Sequence, residues 1–388
     1  MFTVDVCIWW RTDAFHRFGS LSSSTAPPLS TRASGKSGEI LASDSLRSGP
    51  GAQARETLQT RFTRFMRSSS LRTRAYRAVV DQATTKFDAA VEEAISATGA
   101  PKAARCYICL DGGDLVRGCA CRGPDQGFAH VGCLIQLAEA AEARANDRNE
   151  YLDAMASCGL CKQWFDGKVD IAMGRAVWRR FVGCPKDDEW RIHALFELGT
   201  TLLNYDQLDE AEILSRQHLA DCRAGPRRGD MHTLLDAEEL VASVELEQGI
   251  ATKDETKLRT ALEIFERVHA WRVANEGADS DYTLGIAVDI ARAQRQLGMF
   301  AESEALLRET LNSQRRAFGE STAPVLRTEQ MLALTLIRRG TRRKAAEARA
   351  ILDKGLATKI RVFGPEHGET RYTMMLREKH AAALGLAL

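Results

Sequence analysis

Cysteine and histidine side chains recur in closely spaced pairs in one short span of the chain, and this pattern constrains the fold more than any other feature. The pairs read C-x-x-C, C-x-C, H-x-x-C and C-x-x-C, and they comprise Cys106, Cys109, Cys119, Cys121, His130, Cys133, Cys158 and Cys161. Zn²⁺ prefers four thiolate or imidazole ligands in a tetrahedron, and two ligands one or two residues apart can reach one ion from a tight turn. Each pair is therefore half of a site, and the span predicts two zinc ions.

Two other interpretations of these thiols are a disulfide framework and inert buried cysteines. Four pairs in one span favour metal binding over both. The first residues include the acidic Asp5 and no basic leader, so they make a poor secretory signal. The chain has 10 cysteines, and the three outside the pairs are Cys7, Cys184 and Cys222. Free thiols and zinc thiolates both suit a reducing compartment, so we expect an intracellular, cytoplasmic protein.

The ligand order of four cysteines, a histidine and three cysteines resembles the RING-CH (RING-variant) zinc finger. Within it, the second pair is C-x-C, eight residues separate Cys121 from His130, and 24 residues separate Cys133 from Cys158. The resemblance covers this span alone. The PHD finger shares the ligand order but usually has Trp two residues before the seventh ligand, where this chain has Ala156.

The resemblance implies a cross-braced finger in which neither metal site is contiguous in sequence. One ion would be held by Cys106, Cys109, His130 and Cys133, and the other by Cys119, Cys121, Cys158 and Cys161. Because each ion would have four protein ligands, both would be structural, with no position open for a reactive water. The resemblance also implies a RING-type ubiquitin ligase, which binds a ubiquitin-conjugating enzyme charged with ubiquitin and contributes no catalytic residue of its own.

Three residues match positions at which RING fingers contact their partners. Ile108 matches an apolar contact with the conjugating enzyme, and Leu137 stands where RING-CH fingers often have Trp. Lys162 follows the last ligand, where some RING fingers carry a basic residue that bridges to ubiquitin. Each also has a plainer interpretation as a core or solvent-facing side chain. Two other functions stay open, namely a non-catalytic zinc-finger and repeat scaffold and a PHD-like histone-tail reader.

The 388-residue chain is long enough for two or three domains. Residues 1–54 are predicted to be disordered because they are dense in Ser, Gly, Pro and Thr. Residues 55–100 are predicted to be helical and basic, with six arginines from Arg61 to Arg77. We interpret them as a solvated helix face, and the alternative is contact with phosphates or an anionic membrane surface. The finger would occupy residues 101–170, with a helix ending in a loop before the last cysteine pair.

Residues 189–388 show helical patterning with regularly spaced turns. Turn positions are predicted every 42 to 49 residues, at Asp206, Gly249, Gly298, Gly340 and Gly385. A second set of glycines is followed six residues later by a Thr or Val, and its members are Gly277 with Thr283, Gly319 with Val325, and Gly364 with Thr370. Two sets of turn residues that recur with a similar spacing predict helical hairpins stacked in a solenoid.

The local residues of these hairpins resemble tetratricopeptide repeats of the kinesin-light-chain type. Leu198-Gly199, Leu202 and Glu210-Ala211 fall at that family's helix-packing positions, and Phe300 follows Gly298 as an aromatic usually does. The resemblance implies a concave groove that binds a peptide or a partner protein, here the substrate protein. The expected fold class is mainly α, with a small two-zinc cross-brace RING-like finger followed by an α-solenoid of helical hairpins.

Composition gives no support for two other classes of partner. The formal net charge of +1 gives no electrostatic reason to expect a nucleic acid. No apolar run approaches the roughly 20 residues that a helix needs to cross a bilayer, so no membrane span is expected.

Overall fold

The computed structural model describes residues 58–119, 121, 123, 126–224, 231–365 and 367–385, with side chains from residue 77 onward. Over these ranges the chain forms fourteen helices and two isolated β-bridges. The predictions for residues 1–54, and for the side chains of the basic segment before residue 77, lie outside the described residues. No helix in the described ranges combines the length and apolarity that a bilayer span requires.

The first helix, α1 (Leu58–Thr98), packs on a helix that follows the finger, α4 (Gly167–Phe181). Phe87, Ala90 and Ala94 of α1 are buried, three or four residues apart, as one face of a helix requires. The guanidinium of Arg179 in α4 lies 3.8 Å from the centroid of the Phe87 ring. The long helix is therefore fixed to the body of the protein by its carboxyl-terminal half.

Two helices fill the span between His130 and Cys158. Helix α2 (Val131–Ala145) ends at Asn146, whose φ of 53° is left-handed. Asp147 then caps α3 (Arg148–Ala156) by accepting a hydrogen bond from the backbone N–H of Asn149. A second helix thus occupies most of the stretch where the sequence predicted a loop.

Helix α4 connects the finger to the repeats. Asp166 caps it, and the nine consecutive residues from Val169 to Val177 are buried, so every face of this stretch is covered. One hydrophobic core runs from α1 through the finger and α4 to Ala194. The finger and the first repeat helix therefore share a single core.

Five helical hairpins follow α4. Their helices are α5 (Glu189–Asn204) and α6 (Leu208–Ala224), α7 (Met231–Thr252) and α8 (Glu255–Glu276), α9 (Asp281–Gln296) and α10 (Phe300–Phe318), α11 (Ala323–Arg339) and α12 (Arg342–Phe363), and α13 (Gly368–Lys379) and α14 (Ala381–Leu384). Each helix packs on its neighbours along the chain, so the hairpins stack as a solenoid. The predicted mainly α fold, with a solenoid of helical hairpins, is confirmed.

The second set of glycines marks the ends of the hairpins. Gly277, Gly319 and Gly364 follow the last residues of α8, α10 and α12, with φ of 94°, 89° and 93°. Such positive φ values favour glycine because it has no Cβ. The residues six positions later, Thr283, Val325 and Thr370, are buried near the start of the next helix.

One predicted turn position, Gly249, is wrong. It lies inside α7, and a Cβ there would come within 2.9 Å of a methyl carbon of Leu258 in α8. The turn falls instead at Lys253, whose φ is 59°. Close approach of two helices and a tight turn both favour glycine, so this sequence signal alone does not separate them.

In each of the first four hairpins, at least half of the residues of the first helix are buried. Residues 283–293 of α9 and 328–337 of α11 form continuous buried runs. Polar contacts link successive first helices, as when Arg292 of α9 pairs with Glu247 of α7. The hydroxyl of Thr373 in α13 likewise donates to the side-chain oxygen of Gln330 in α11 over 3.0 Å. The inner side of the repeats is therefore largely closed along these runs.

Candidate metal centres

The first group of ligands comes from two separate segments of the finger. Cys106 and Cys109 lie in a turn near the end of α1, and His130 and Cys133 lie at the start of α2. Their four ligand atoms are all within 4.8 Å of one another. His130 Nδ1 is 3.4 Å from Cys109 Sγ and 3.6 Å from Cys133 Sγ.

The orientation of His130 is set by its other ring nitrogen. Nε2 lies 3.2 Å from the carbonyl oxygen of Gly112. Because a carbonyl only accepts, this contact favours the tautomer that carries its proton on Nε2. Nδ1 then directs its lone pair at the thiols of the group, as metal binding requires.

The second group combines Cys119 and Cys121 with Cys158 and Cys161, and its sulfur atoms also lie within 4.8 Å of one another. Cys121 Sγ and Cys158 Sγ are 3.7 Å apart. A disulfide needs about 2.05 Å, whereas two sulfurs about 2.3 Å from one tetrahedral zinc lie about 3.8 Å apart. All seven cysteines of the finger are free thiols. The structure thus brings together the two sets that the resemblance implied, in a geometry that fits a metal.

Both C-x-x-C pairs adopt the same backbone turn. The N–H of Leu110 donates to the carbonyl of Cys106, and the N–H of Lys162 donates to the carbonyl of Cys158, each over 2.9 Å. Leu110 and Lys162 are left-handed, with φ of 69° and 59°. This conformation is uncommon for both residue types, so the surrounding structure has to impose it. We call these two turns the first and second knuckle.

Gly127 leaves space for the thiols of the second group. Its φ is 79°, and a Cβ built on it would lie 2.7 Å from Cys121 Cβ and 2.9 Å from Cys119 Sγ. Any other residue would displace these two ligands. The backbone there is therefore shaped around the sulfur atoms.

The thiols of each group differ strongly in acidity in the absence of a cation. A hydrogen bond from Cys119 lowers the pKa of Cys158 to about 5, and the same contact raises the pKa of Cys119. In the first group, burial raises the pKa of Cys133 to about 12. Burial opposes ionisation of Cys106 as well, but backbone N–H groups outweigh it and lower its pKa to about 6. Thiols this close ionise together only beside a compensating charge, which a divalent metal supplies.

The three predicted partner contacts lie at the surface of the finger. Ile108 and Leu137 are half-buried and Lys162 is exposed. Ile108 also packs against the finger's core, so it belongs to both core and surface. A Cβ at Gly159 would lie 3.7 Å from a methyl carbon of Leu137 and 3.3 Å from the hydroxyl of Tyr107, so α2 and both knuckles meet there.

Sequence reasoning missed two exposed apolar side chains at the knuckles. Leu110 is 73 % exposed and Leu160 is 52 % exposed. Each is adjacent in sequence to a cysteine of the candidate metal-binding groups. Their position inside a C-x-x-C turn is visible in the sequence, but their exposure depends on packing and is not.

No protein-family model and no curated protein sequence matches the chain. Among solved structures, BtubC (BKLC) from P. vanneervenii is 18 % identical, with a TM-score of 0.41 over 56 % of this chain and 84 % of that one. A putative kinesin light chain from Podosopora anserina, with nearly identical TPR-like repeats, is 17 % identical, with a TM-score of 0.34 over 60 % of this chain and 95 % of that one. Similarity at this level gives no information about function. The assignment of a solenoid is based on the helix packing of the chain itself.

Proposed function

We propose that the chain binds two zinc ions and acts as a RING-type ubiquitin ligase. The observation that carries the proposal is the pair of interleaved ligand groups with apolar side chains at their surface. These side chains are Ile108, Leu110, Leu137 and Leu160. Exposed apolar side chains are typical of protein-binding surfaces, and we call these four side chains the apolar patch.

Zinc is the ion that suits the two donor sets. Three thiols with one imidazole, and four thiols, are the usual ligands of structural zinc, whereas calcium and magnesium prefer oxygen. Bound zinc would contribute folding energy to the finger. Both sets are complete with protein ligands, so the finger has no site for a metal-bound water.

The residues of the finger would act by binding and orientation. The apolar patch would receive the conjugating enzyme, and Lys162 would reach the ubiquitin that this enzyme carries as a thioester. Ubiquitin would pass from the enzyme's cysteine to a lysine of a substrate protein bound by the repeats. The finger supplies no nucleophile, and its effect is to hold the thioester and the lysine close together in a productive orientation.

A non-catalytic scaffold is the second candidate. The five stacked hairpins favour it, because repeat solenoids characteristically bind other proteins. In that function the zinc ions and the repeats would be retained, while the patch would bind no conjugating enzyme.

Discharge of ubiquitin from a panel of charged conjugating enzymes tests the ligase. We expect activity for the wild type and a reduction of at least tenfold for Ile108→Ala, because a buried aliphatic side chain contributes about 1.5–3 kcal/mol and each 1.4 kcal/mol is tenfold in affinity. Leu110→Asn should act similarly without loss of stability, because asparagine tolerates left-handed backbone better than leucine. Cys106→Ala, which removes a metal ligand, should be inactive.

Ile213→Ala is the matched control, because Ile213 is 67 % exposed on α6, outside the finger. It should discharge ubiquitin like the wild type. Zinc content, measured in parallel, should be two ions per chain in the wild type and in both patch variants. A wild type that is inactive with every enzyme favours the scaffold, and loss of zinc from Ile108→Ala would show that this residue is core and not contact.

A further inference from the structure

A cavity of about 240 Å³ lies between the finger and the two ends of the repeats. The segment that leaves the second knuckle forms one wall, with Trp164 and Phe165. The first helices of three hairpins form the others, through the end of α5 and the starts of α11 and α13. This cavity opens between the first, fourth and last hairpins.

Asp166 connects these walls. Its carboxylate accepts hydrogen bonds from the N–H of Gly368 at 3.1 Å, from the hydroxyl of Tyr205 at 3.1 Å and from the N–H of Gly167 at 2.8 Å. These three donors are neutral, so they hold the carboxylate in place without neutralising its charge. A fixed negative charge therefore lies on the wall of the cavity.

The lining as a whole carries a net negative charge. Among the described lining residues, carboxylates belong to Asp166, Asp170 and Glu369, and a guanidinium belongs to Arg327. Arg327 binds Glu369 at 3.3 Å, and Lys359 behind the wall binds the same carboxylate at 2.9 Å. Two cations thus bind Glu369. The formal charge of the described lining residues is negative, which favours a positively charged ligand.

Asn204 lines the same cavity with a buried acceptor. The residue is 8 % exposed, and its Oδ1 has no hydrogen-bond partner among the residues that the structure describes. A buried acceptor without a partner costs about 1–3 kcal/mol. A donor carried by a ligand would remove this cost.

Aromatic rings form much of the remaining surface. They belong to Trp164, Phe165, Tyr205 and Phe363, and the ring of His367 stacks on that of Phe363 with centroids 4.9 Å apart. Planar apolar walls next to carboxylates suit a flat cation, which can stack on a ring while its edge donates hydrogen bonds.

We propose that this cavity binds the guanidinium of an arginine presented by a peptide segment of a partner protein. A guanidinium is planar, permanently charged and carries five N–H donors for acceptors such as Asn204 Oδ1 and the aspartates. The cavity is smaller than the roughly 300–1,000 Å³ of pockets for drug-sized ligands, so it has room for one long side chain and the peptide lies across its mouth. The inference rests on the proposed recruitment of substrate by the repeats and names the residue that they recognise.

Peptide selection on the zinc-loaded full chain tests the proposal. Bead-bound octapeptides carry arginine or citrulline, its neutral isostere, at the centre between randomised flanks, and selected peptides are titrated by fluorescence anisotropy. We expect selection from the arginine library, and at least tenfold weaker binding when the same peptide carries citrulline. Equal binding of both forms, or no selection from the arginine library, would overturn the proposal.

Two variants locate the site. Asn204→Leu removes the buried acceptor and Asp170→Asn removes a lining charge, and each should weaken binding at least tenfold. Glu255→Gln is the matched control, because Glu255 has a 67 % exposed side chain on α8 away from the cavity, and it should bind like the wild type. Circular dichroism reports whether each variant is folded. If neither folds, a selected peptide with a photoreactive group beside its arginine should crosslink to residues 163–170 or 323–369, and crosslinks confined to other residues would exclude the cavity.

The peptide experiment needs neither ubiquitin nor a conjugating enzyme, so it is independent of the ligase assay. Ile108→Ala should bind the arginine peptide normally. Peptide binding by a chain that discharges no ubiquitin would contradict the ligase alone, whereas discharge without arginine selection would contradict the cavity alone.

Discussion

At the scale of single residues, two histidines of the first hairpin are buried as neutral groups. His193 is 2 % exposed and His218 is 1 % exposed. Burial lowers the pKa of His193 to about 3. Burial also lowers the pKa of His218 to about 4, although the negative charges of Asp236 and Asp221 act in the opposite direction. An imidazole in an unfolded chain titrates near 6.5. As the pH falls below about 6.5, the two imidazoles therefore bind protons in the unfolded chain but not in the folded chain. The free energy of unfolding decreases as a result.

Acidification from pH 7 to pH 5 should thus destabilise the fold by about 2 kcal/mol for each of the two histidines. His218→Gln should reduce the difference between the melting temperatures at the two pH values, because glutamine does not titrate. His232→Gln is the control, since the side chain of His232 is 61 % exposed. The same pH dependence in His218→Gln and the wild type would show that burial does not suppress protonation there.

The ligand residues could be predicted because ligand spacing is a local property of the sequence. A C-x-x-C pair is close in space whatever the rest of the chain does. Which pairs lie together was implied only by the family resemblance, because it depends on how α2 and the knuckles fold back on each other. The exposure of Leu110 and Leu160 depends on the same packing, and it therefore could not be read from residue type.

At the scale of elements, α4 docks on the finger through a glycine. A Cβ at Gly118 would lie 2.6 Å from Val169 Cβ and 2.7 Å from the carbonyl oxygen of Asp166. The carbonyl of Gly118 also accepts a hydrogen bond from the N–H of Asp166 at 2.7 Å. Val169 lies in α4 and Asp166 is the N-cap of this helix, so neither atom can move without shifting α4.

Gly118→Ala should therefore lower the free energy of unfolding by about 1–3 kcal/mol, the usual cost of overpacking. Gly355→Ala provides the opposite case, because Gly355 lies within α12 and a Cβ there meets nothing within 4 Å. It should raise the stability by about 0.5–1 kcal/mol, since alanine favours a helix over glycine. Urea denaturation with zinc present measures the free energy of unfolding of both variants. A Gly118→Ala variant more stable than the wild type would mean that α4 does not pack as closely as described.

The hairpins could be predicted because their turn glycines recur in phase with buried positions six residues later. The sequence did not reveal α3, because a nine-residue helix shows little periodicity and begins among charged and Asn residues typical of loops. Gly249 was assigned to a turn for a similar reason. A glycine's conformational freedom is visible in the sequence, but the neighbour that requires its small size is not.

At the scale of the whole molecule, the finger shares its core with α1, α4 and the start of α5, while the later hairpins pack on one another. Removal of the metal with a chelator should therefore affect the two parts differently. We expect hydrogen–deuterium exchange to accelerate about 100-fold or more in residues 131–156, with a smaller effect in α1 and α4. Residues 231–363 should exchange as before, because solenoid stability comes from stacking between neighbouring hairpins.

Cys109→Ala without chelator should reproduce this pattern, since it removes one ligand of the first group. Exchange that accelerates equally from α1 to α12 would show instead that the finger and the repeats unfold as one unit. The shared core could not be predicted from the sequence, because it joins residues of four separate segments whose apolar character is ordinary.

The contact between Asp166 and Gly368 joins residues 202 positions apart. In a flexible chain, closing a loop this long would cost on the order of 5 kcal/mol, so the contact forms only after the intervening hairpins have stacked. On a ribosome that adds about 5–20 residues per second, Asp166 is made roughly 10 to 40 s before its partner. During that interval both candidate metal-binding groups are already complete, but the cavity beside Asp166 lacks the wall that α13 provides. Capture of an arginine there would therefore distinguish a finished chain from a nascent one.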